Sequence, residues 1–333
     1  MESGMEALAL ELVVAERHEE AQDIVAFALE HPQGGELPAF EAGAHVMVQA
    51  APGLQRAYSL CGDPRERRRY RIGVQREPAS RGGSAALHAG LQAGMRLRVG
   101  APRNAFALCE QAGHSILLAG GIGITPLLAM AERLAALRAD FALHYCTRSP
   151  QRTAFGARLA APALAPHLRL HHDDGPPAQR FDAASALARP AQGAQDWHVY
   201  VCGPAGFIDH AMATAQRLGW PDAQLHREYF SPPATTADGA DTAADRPFEL
   251  VLASSGRRIA VPAGQSAARA LQEAGIPLAM SCEEGVCGTC VTTVLQGQPA
   301  HRDHYLTAQD RARNDCFMPC CSLAHTAQLV IDL

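Results

Sequence analysis

Residues Ser281–Cys290 read SCEEGVCGTC, and a pair of cysteines, Cys320-Cys321, follows later in the chain. Three cysteines with the spacing Cys-x4-Cys-x2-Cys and a distant fourth match a plant-type [2Fe-2S] site, in which four thiolates hold two irons. The glycines at positions 285 and 288 allow the loop to curl and bring backbone amides close to the sulfurs. This stretch predicts an iron-sulfur cluster and a domain folded around it.

Two alternatives to a cluster are a structural zinc site and unrelated core cysteines. Structural zinc sites usually have two short Cys-x2-Cys pairs, and here only Cys287 and Cys290 form one. We therefore favour the cluster. A one-electron centre in this position indicates that another part of the chain supplies or removes its electrons.

The composition is that of an ordinary globular protein. A length of 333 residues allows two or three domains, and 47% hydrophobic with 19% charged residues lies in the usual range for soluble domains. The formal net charge of -5 gives no electrostatic reason to expect nucleic acid or an anionic membrane as a partner.

The expected location is the cytoplasm. Met1–Glu11 is acidic and has no basic region followed by an apolar run, so no signal peptide is predicted. The most apolar stretch, Ile116–Ala131, contains glycines and a proline and is too short to span a bilayer. Ten cysteines without a signal peptide indicate reduced thiols and a metal cluster rather than disulfides.

Changes in pattern divide the chain into three domains and a linker. Residues 1–110 hold short apolar runs separated by proline and glycine turns, which favours an antiparallel β-barrel. Over 111–230, short buried strands alternate with helices, which predicts a parallel α/β sheet. Residues 231–246 contain no large apolar side chain and are predicted to be a linker, and 247–333 form the cluster domain.

The same patterns predict the individual elements. The predicted helices are Ala85–Leu91, Pro126–Leu137, Ala154–Leu164, Ala205–Leu218 and Ser266–Ala274. The predicted strands are Leu8–Val14, Ile24–Leu29, Gly43–Val48, Tyr58–Leu60, Tyr70–Val74, Met95–Val99, Ser115–Leu118, Phe141–Thr147, Leu168–His171, Trp197–Cys202, Phe248–Leu252, Arg258–Val261, Val291–Leu295 and Gln328–Ile331.

A candidate binding motif, Arg56-Ala57-Tyr58-Ser59, lies on a predicted barrel strand. Strand alternation places Arg56 and Tyr58 on one face and Ser59 on the other. An arginine can pair with a phosphate, a tyrosine ring can cover an isoalloxazine, and a serine hydroxyl can reach a ring nitrogen. Taken alone, a solvated arginine and a tyrosine packed in the barrel are the simpler explanation.

Three glycine-bearing turns are further candidates. Arg81–Ser84 (RGGS) precedes a predicted helix, and Ala119–Pro126 (AGGIGITP) joins a predicted strand to a helix. Such turns present free amides to an anion at the positive end of a helix, although the second lacks the third glycine of the usual dinucleotide fingerprint. Cys202–Pro204 (CGP) ends a later strand of the same predicted sheet, where ligands of parallel sheets gather. The alternatives are an ordinary helix start for the first motif, a plain strand-to-helix turn for the second and a buried cysteine beside a turn for the third.

In their order along the chain, these motifs resemble those of the phthalate dioxygenase reductase family, which includes the reductase components of vanillate demethylases. The resemblance covers nearly the whole chain, and His226–Phe230 (HREYF) is similar to the segment that ends the family's nucleotide domain. It implies a flavin-binding barrel, a ferredoxin-reductase-like α/β domain that binds NADH, and a C-terminal plant-type ferredoxin domain of β-grasp fold.

The resemblance also implies roles for residues of the barrel. The expected flavin is FMN, with the two barrel motifs around it and an aromatic side chain over the flavin face where the nicotinamide enters. The residues expected to hold or cover FMN are Arg56, Ala57, Tyr58, Ser59, Gly83, Ser84 and Phe230.

A second set is expected to bind NADH at the turns of the parallel sheet. Thr125 is expected to lie between flavin and nicotinamide, so Ser59, Thr125 and Phe230 are the residues predicted to act in the hydride transfer itself. The residues expected to line the NADH site are Gly121, Gly123, Thr125, Cys202, Gly203 and Pro204.

The family pattern selects one cysteine of the adjacent pair as the fourth cluster ligand. The family has Cys-x-Ser at this point, which matches Cys320-Cys321-Ser322 and assigns Cys320. Cys321 is expected to point the other way on an extended segment. The resulting ligands are Cys282, Cys287, Cys290 and Cys320.

The resemblance implies electron transfer from NADH to FMN, then to the cluster and then to a partner. The expected partner is a Rieske-type oxygenase acting on an aromatic acid or ether, and the chain is expected to be monomeric. NADH is preferred to NADPH, although Arg148 follows the second strand of the sheet, where an arginine can meet a 2′-phosphate.

Two other functions are considered. The first is a reductase for a cytochrome P450 or another acceptor, which a fused haem domain would have supported. The second is a redox sensor that uses the cluster for signalling, which binding to DNA or to a regulatory protein would support.

Overall fold

The computed structural model describes residues 8–52, 54–77, 82–189, 196–231, 245–280 and 282–333. They fall into two compact units, one within Ala7–Glu228 and the other within Tyr229–Leu333. Most of the predicted linker, residues 232–244, lies outside the described residues.

Six antiparallel strands form a barrel in the first unit. The isolated bridge between Leu60 and Ile72 joins the end of the fourth strand to the fifth and closes the sheet. The strands are β1 (Leu10–Ala21), β2 (Ile24–Glu30), β3 (His45–Ala51), β4 (Leu54–Ser59), β5 (Arg69–Gln75) and β6 (Arg96–Val99). They pair in the order β4-β3-β6-β1-β2-β5, helix α1 (Gly83–Gly90) packs on β3, β4 and β5, and the predicted barrel is confirmed.

A five-stranded parallel sheet follows in the same unit. Its strands are β7 (His114–Gly120), β8 (Phe141–Thr147), β9 (Leu168–His172), β10 (Trp197–Cys202) and β11 (Leu225–Glu228), in the order β11-β10-β7-β8-β9. Six of the seven residues of β7 are buried, as expected for a central strand covered on both faces. The helices are α2 (Ile124–Leu137), α3 (Gly156–Leu159), α4 (Ala183–Ala186) and α5 (Ala205–Arg217). The predicted parallel α/β architecture is confirmed.

The barrel and the parallel sheet share one apolar core. Ile24, Ala26 and Phe106 of the barrel region pack in the same cluster as Leu127 of α2 and Tyr200 of β10. The two therefore form one compact unit, and the predicted limits 1–110 and 111–230 stay predictions.

The second unit has the β-grasp topology predicted for a ferredoxin domain. Strands β12 and β18 pair in parallel at the centre, and antiparallel neighbours flank them in the order β13-β12-β18-β14-β16. The strands are β12 (Phe248–Leu252), β13 (Arg258–Val261), β14 (Thr292–Gln296), β15 (Pro299–Ala300), β16 (Cys316–Phe317), β17 (Leu323–Ala324) and β18 (Gln328–Ile331). The helices are α6 (Ala267–Glu273) and α7 (Ala308–Arg313).

Several elements differ from the sequence-based expectation. One predicted helix is shorter, and the elements that were not predicted are α4, α7, β11, β15, β16 and β17. Only Gly156–Leu159 of the predicted helix Ala154–Leu164 is α-helical, so the prediction is wrong for the residues on either side. Phe155 has a left-handed φ of 61°, and the amide of Leu164 bonds back to Ala161 in a turn. Strand β11 was not predicted, because its four residues, LHRE, contain only one apolar side chain.

Candidate functional site

The barrel motif lies beside the start of α1. Arg56 and Tyr58 are half-buried, Ala57 is exposed and Ser59 is buried, and the predicted alternation of faces along β4 stays a prediction. A Cβ atom built on Gly83 would lie 2.9 Å from Cγ of Arg56, which shows that the arginine side chain crosses the first residue of the helix. Arg56 and the first amides of α1 are thereby brought together.

This arrangement fits a flavin mononucleotide. The first turn of α1 carries no acidic side chain, so nothing there opposes a phosphate at the positive helix end. The hydroxyl of Ser84 accepts a hydrogen bond of 3.1 Å from the amide of Glu77 and fixes the start of the helix. Burial raises the pKa of Tyr58 to about 12, although Arg56 opposes the shift, so the phenol is neutral and its ring can cover an apolar cofactor face.

The glycine turn after β7 touches the Cys-Gly-Pro turn after β10. These strands are parallel neighbours, so their ends meet at one edge of the sheet. A Cβ atom on Gly123 would lie 2.2 Å from the carbonyl oxygen of Cys202, and one on Gly203 would lie 2.9 Å from Cα of Gly120. These two glycines allow backbone-to-backbone packing, whereas Gly121, with φ of 54°, faces open space. Gly121 is therefore the member of the turn that leaves room for a ligand.

Thr125 connects the nucleotide turn to the barrel. Its hydroxyl donates a 3.0 Å hydrogen bond to the carbonyl of Ile122, and the side chain is buried. A Cβ atom on Gly73 of β5 would lie 2.8 Å from the methyl group of Thr125, so the barrel strand passes directly against it. Its position is compatible with the predicted place between flavin and nicotinamide, which stays a prediction.

Three predicted residues have less direct support. Burial raises the pKa of the Cys202 thiol well above its usual value, so this side chain is a neutral core group and only its backbone reaches the sheet edge. Pro204 immediately precedes α5 and terminates the turn. Phe230 is 41% exposed and belongs to the second unit, and its predicted position over the flavin stays a prediction.

The four predicted cluster cysteines associate in two pairs. Cys282 hydrogen-bonds with Cys287, which raises the pKa of Cys282 and lowers that of Cys287. Cys290 and Cys320 form the second pair, and this hydrogen bond, followed by burial, raises the pKa of Cys290. Two pairs of thiols suit two irons.

The cluster loop is shaped by its two glycines. Gly285 and Gly288 have φ of 75° and 73°, and the amides of Glu284 and Val286 donate to Sγ of Cys282 at 3.3 and 3.5 Å. A Cβ atom on Gly288 would lie 2.4 Å from the ring of Tyr305. The loop thus needs glycine for both its curvature and its packing, and the residues fit an iron-sulfur cluster.

Sequence reasoning missed the residue that supports this loop from behind. The Asp303 carboxylate is buried and accepts hydrogen bonds from the amides of Leu306 at 2.7 Å and Tyr305 at 3.2 Å. The adjacent amide of His304 donates to the carbonyl of Gly285 at 2.9 Å. A single aspartate in HRDHYL gives no signal for such a role in the sequence.

The expected orientation of Cys321 is wrong. The amides of Cys321 and Ser322 both bond to the carbonyl of Met318, so this segment is a turn rather than an extended strand. Side chains do not alternate in a turn, and the thiols of Cys320 and Cys321 lie within hydrogen-bonding range of each other.

Comparison with known proteins identifies the family. Residues 250–325 match the model of the 2Fe-2S iron-sulfur cluster binding domain. The chain is 50% identical over 325 residues to the vanillate O-demethylase oxidoreductase of Pseudomonas putida, covering 97% of this chain and 100% of the relative. A solved phthalate dioxygenase reductase, described as a modular structure for electron transfer from pyridine nucleotides to [2Fe-2S], is 38% identical with a TM-score of 0.70, covering 97% of this chain and 98% of that one. The chain belongs to the phthalate dioxygenase reductase family.

Family membership confirms the predicted class. The chain is an NADH-dependent oxidoreductase that uses FMN and a [2Fe-2S] cluster, on the fold predicted for it. A second solved structure, an intact type IV self-sufficient cytochrome P450 monooxygenase, is 37% identical with a TM-score of 0.86. The match covers 97% of this chain but 41% of that one, so the chain corresponds to less than half of the larger protein. Within the described residues, no helix is both long enough and apolar enough to cross a membrane.

Proposed function

We propose that this chain takes electrons from NADH and delivers them to a Rieske-type oxygenase that acts on an aromatic acid or ether. One observation carries the proposal: a flavin-type barrel site, a nucleotide turn and paired cluster cysteines occur together in one chain. Almost the whole length of this chain matches an oxidoreductase named for vanillate O-demethylation. When bound, FMN accepts two electrons as a hydride and the cluster carries electrons singly.

The chain's own residues position the flavin and the nucleotide. Arg56 and the start of α1 hold the phosphate end of the flavin, and the neutral ring of Tyr58 covers an apolar face. The open position at Gly121 admits the nucleotide, and Thr125, fixed by Ile122 and packed on Gly73, sets how closely the two sites approach. Ser59 and Phe230 complete this proposed arrangement.

Charge near β8 and β9 supports NADH rather than NADPH. Arg148 follows β8, but the amide of Asp174 bonds to the carbonyl of Arg148 at 3.1 Å, and the amide of Asp173 bonds to Thr147. Two exposed aspartates therefore adjoin the backbone of the arginine at the end of β8. Their negative charge opposes a 2′-phosphate.

The partner is proposed to dock on the outer side of the cluster loop. Glu283 and Val291, which flank the cysteines, are exposed, and redox encounters of this kind bury small areas and are transient. Among the described residues the cysteines form no disulfide, and we propose that the chain works in the reducing environment of the cytoplasm. We further propose that the chain acts as a monomer.

Anaerobic titration and reconstitution test the function. NADH is expected to bleach both flavin and cluster absorbance, and the reduced chain is expected to support product formation by an added Rieske oxygenase component. The matched control is Cys282→Ala, which lacks a proposed cluster ligand and should retain flavin bleaching while losing delivery to the oxygenase. Flavin bleaching with a cluster that stays oxidised would contradict the proposal.

A second candidate function is electron delivery to a cytochrome P450, which the similarity to the self-sufficient P450 enzyme favours. The two are separated by offering the reduced chain an isolated P450 haem domain and a Rieske component in parallel. Faster reduction of the haem, read as the carbon monoxide difference spectrum, would favour the P450 function.

A further inference from the structure

Five thiols, rather than four, surround the cluster loop. Cys282 and Cys287 form one pair and Cys290 and Cys320 the other, and the thiol of Cys321 lies within hydrogen-bonding range of that of Cys320. The family pattern Cys-x-Ser gives no role to this neighbouring position. A four-ligand site therefore leaves the fifth thiol unexplained.

The Cys321 thiol reaches into the loop itself. A Cβ atom on Gly285 would lie 2.6 Å from Sγ of Cys321, closer than real Cβ atoms approach a sulfur. Only a glycine at position 285 leaves this space, so the Cys321 sulfur packs directly against the backbone of the loop at Gly285. Its remaining contacts are weak: the carbonyl of Met318 and the hydroxyl of Ser322 each lie 3.8 Å away.

We propose that Cys321 is a reserve ligand of the [2Fe-2S] cluster, able to replace Cys320. The proposal rests on the proposed ligand set Cys282, Cys287, Cys290 and Cys320. The turn at Met318 brings both thiols of the adjacent pair to the same side, so exchange between them needs movement of one residue rather than of a whole segment.

The exchange involves no change of oxidation state. One bond between iron and Sγ of Cys320 breaks and one bond between the same iron and Sγ of Cys321 forms. The entering thiol releases a proton as it becomes a thiolate, and the departing thiolate takes up a proton, so charge and electrons balance. The exchange would retain the iron when the Cys320 bond opens.

The test compares the iron content of matched variants of the full chain. Cys320→Ala is expected to retain iron and acid-labile sulfide, with shifted visible and electron paramagnetic resonance spectra. The double variant Cys320→Ala/Cys321→Ala is expected to lose them, as is Cys282→Ala, whose position has no spare thiol. Flavin content, read from the same spectra, verifies that the first unit of each variant is folded.

A second measurement covers the case in which Cys320→Ala does not fold. Under an iron chelator, Cys321→Ala is expected to release iron several-fold faster than the unmodified chain, because the reserve bond is absent. Loss of iron from folded Cys320→Ala would overturn the reserve role, as would equal release rates for Cys321→Ala and the unmodified chain. If Cys282→Ala kept its iron, the proposed ligand set itself would be wrong. If Cys321→Ala alone lost its iron, Cys321 would be the primary ligand and the reserve role would again be overturned.

Discussion

At the scale of single residues, Gly123 has almost no room for a side chain. Its hydrogen faces the backbone at Cys202 and Gly203, where a Cβ atom would lie 2.2 Å from the carbonyl oxygen and 2.6 Å from the amide nitrogen. Both obstacles are main-chain atoms of a neighbouring parallel strand, so neither can rotate away. The turn that presents Gly121 to a ligand thus depends on a glycine that need not touch the ligand.

Gly123→Ala is expected to destabilise the first unit by at least ~2 kcal/mol, because the overpacked turn must separate from β10. The corresponding fall in melting temperature is roughly 2–4 °C for each kcal/mol in a unit of this size. Differential scanning calorimetry measures the shift, and the apparent affinity for NADH should weaken in parallel.

The matched control is Gly206→Ala, since no heavy atom lies within 4 Å of a Cβ atom at that exposed position on α5. Alanine also favours the helix, so this variant should melt at or above the temperature of the unmodified chain. Equal melting temperatures for both variants would show that the contact between the two turns is not maintained in solution.

At the scale of elements, histidine pairs link neighbouring parallel strands. Nδ1 of His144 on β8 lies 3.1 Å from Nε2 of His171 on β9, and Nδ1 of His198 on β10 lies 2.8 Å from Nε2 of His226 on β11. Burial, followed by the partner ring, lowers the pKa of His144 and of His226 to about 4. Each hydrogen bond needs one ring nitrogen without a proton, so the pairs are stable only when at least one ring of each is neutral.

The sign of the pH dependence follows from these lowered pKa values. The unfolded chain binds protons near the ordinary histidine pKa of about 6.5, and the folded chain binds them only at lower pH. The stability contributed by the neutral pairs is present above that pH and is lost as the pH falls toward the folded pKa values. We expect the melting temperature of the first unit to fall between about pH 7.5 and about pH 5.5.

The variant His144→Asn/His226→Asn should show a smaller fall over the same range, since asparagine can bond the remaining ring and does not titrate. His210→Asn, on the exposed surface of α5, serves as the control and should keep the pH dependence of the unmodified chain. If the melting temperature of the double variant fell with pH as steeply as that of the unmodified chain, the histidine pairs would not be the cause of the pH dependence.

At the scale of the whole molecule, a half-buried ion pair connects the barrel to the parallel sheet. Arg158 of α3 donates to the Glu132 carboxylate of α2 through Nε at 3.0 Å and through Nη2 at 2.6 Å. The same Nη2 donates to the carbonyl of Cys61, just after β4. Burial raises the pKa of Glu132, and Arg158 opposes that shift. The end of the flavin-motif strand is thus tied to the helix that follows the nucleotide turn.

Arg158→Met is expected to lower the free energy of unfolding by about 3 kcal/mol, because it leaves the Glu132 carboxylate buried without its partner. Arg158→Met/Glu132→Leu should recover most of that loss, since the unpaired charge is removed as well. Urea unfolding of the two variants gives the difference directly.

Arg65→Met is the comparison for this pair, because it breaks the ion pair with Asp63, in which the arginine side chain is 61% exposed. It should change the stability little, since exposed pairs contribute little. A double variant no more stable than Arg158→Met would show that packing of the arginine, rather than its charge, joins the two sheets.

Local patterns predicted most of the fold and only part of the site. The cysteine spacing, the turn at Gly121 and the strand that carries Tyr58 each depend on residues close together in the sequence. They could therefore be predicted from the sequence. The direction of the Cys321 thiol depends on a turn formed with Met318, and the Arg158–Glu132 pair joins elements distant in sequence. Contacts of this second kind depend on tertiary packing, for which a single sequence carries no periodic signal.

The central place of β18 in its sheet has a consequence for how this protein is made. Gln328–Ile331 is the last of the five strands to leave the ribosome, yet it lies between β12 and β14 and pairs with both. The earlier strands cannot form a continuous sheet while it is missing, and Cys320 also emerges late. We therefore expect iron and sulfide to be inserted only after translation of this domain is complete. A cell that synthesises the chain faster than it supplies clusters would then accumulate a flavin-bearing form that cannot pass electrons on.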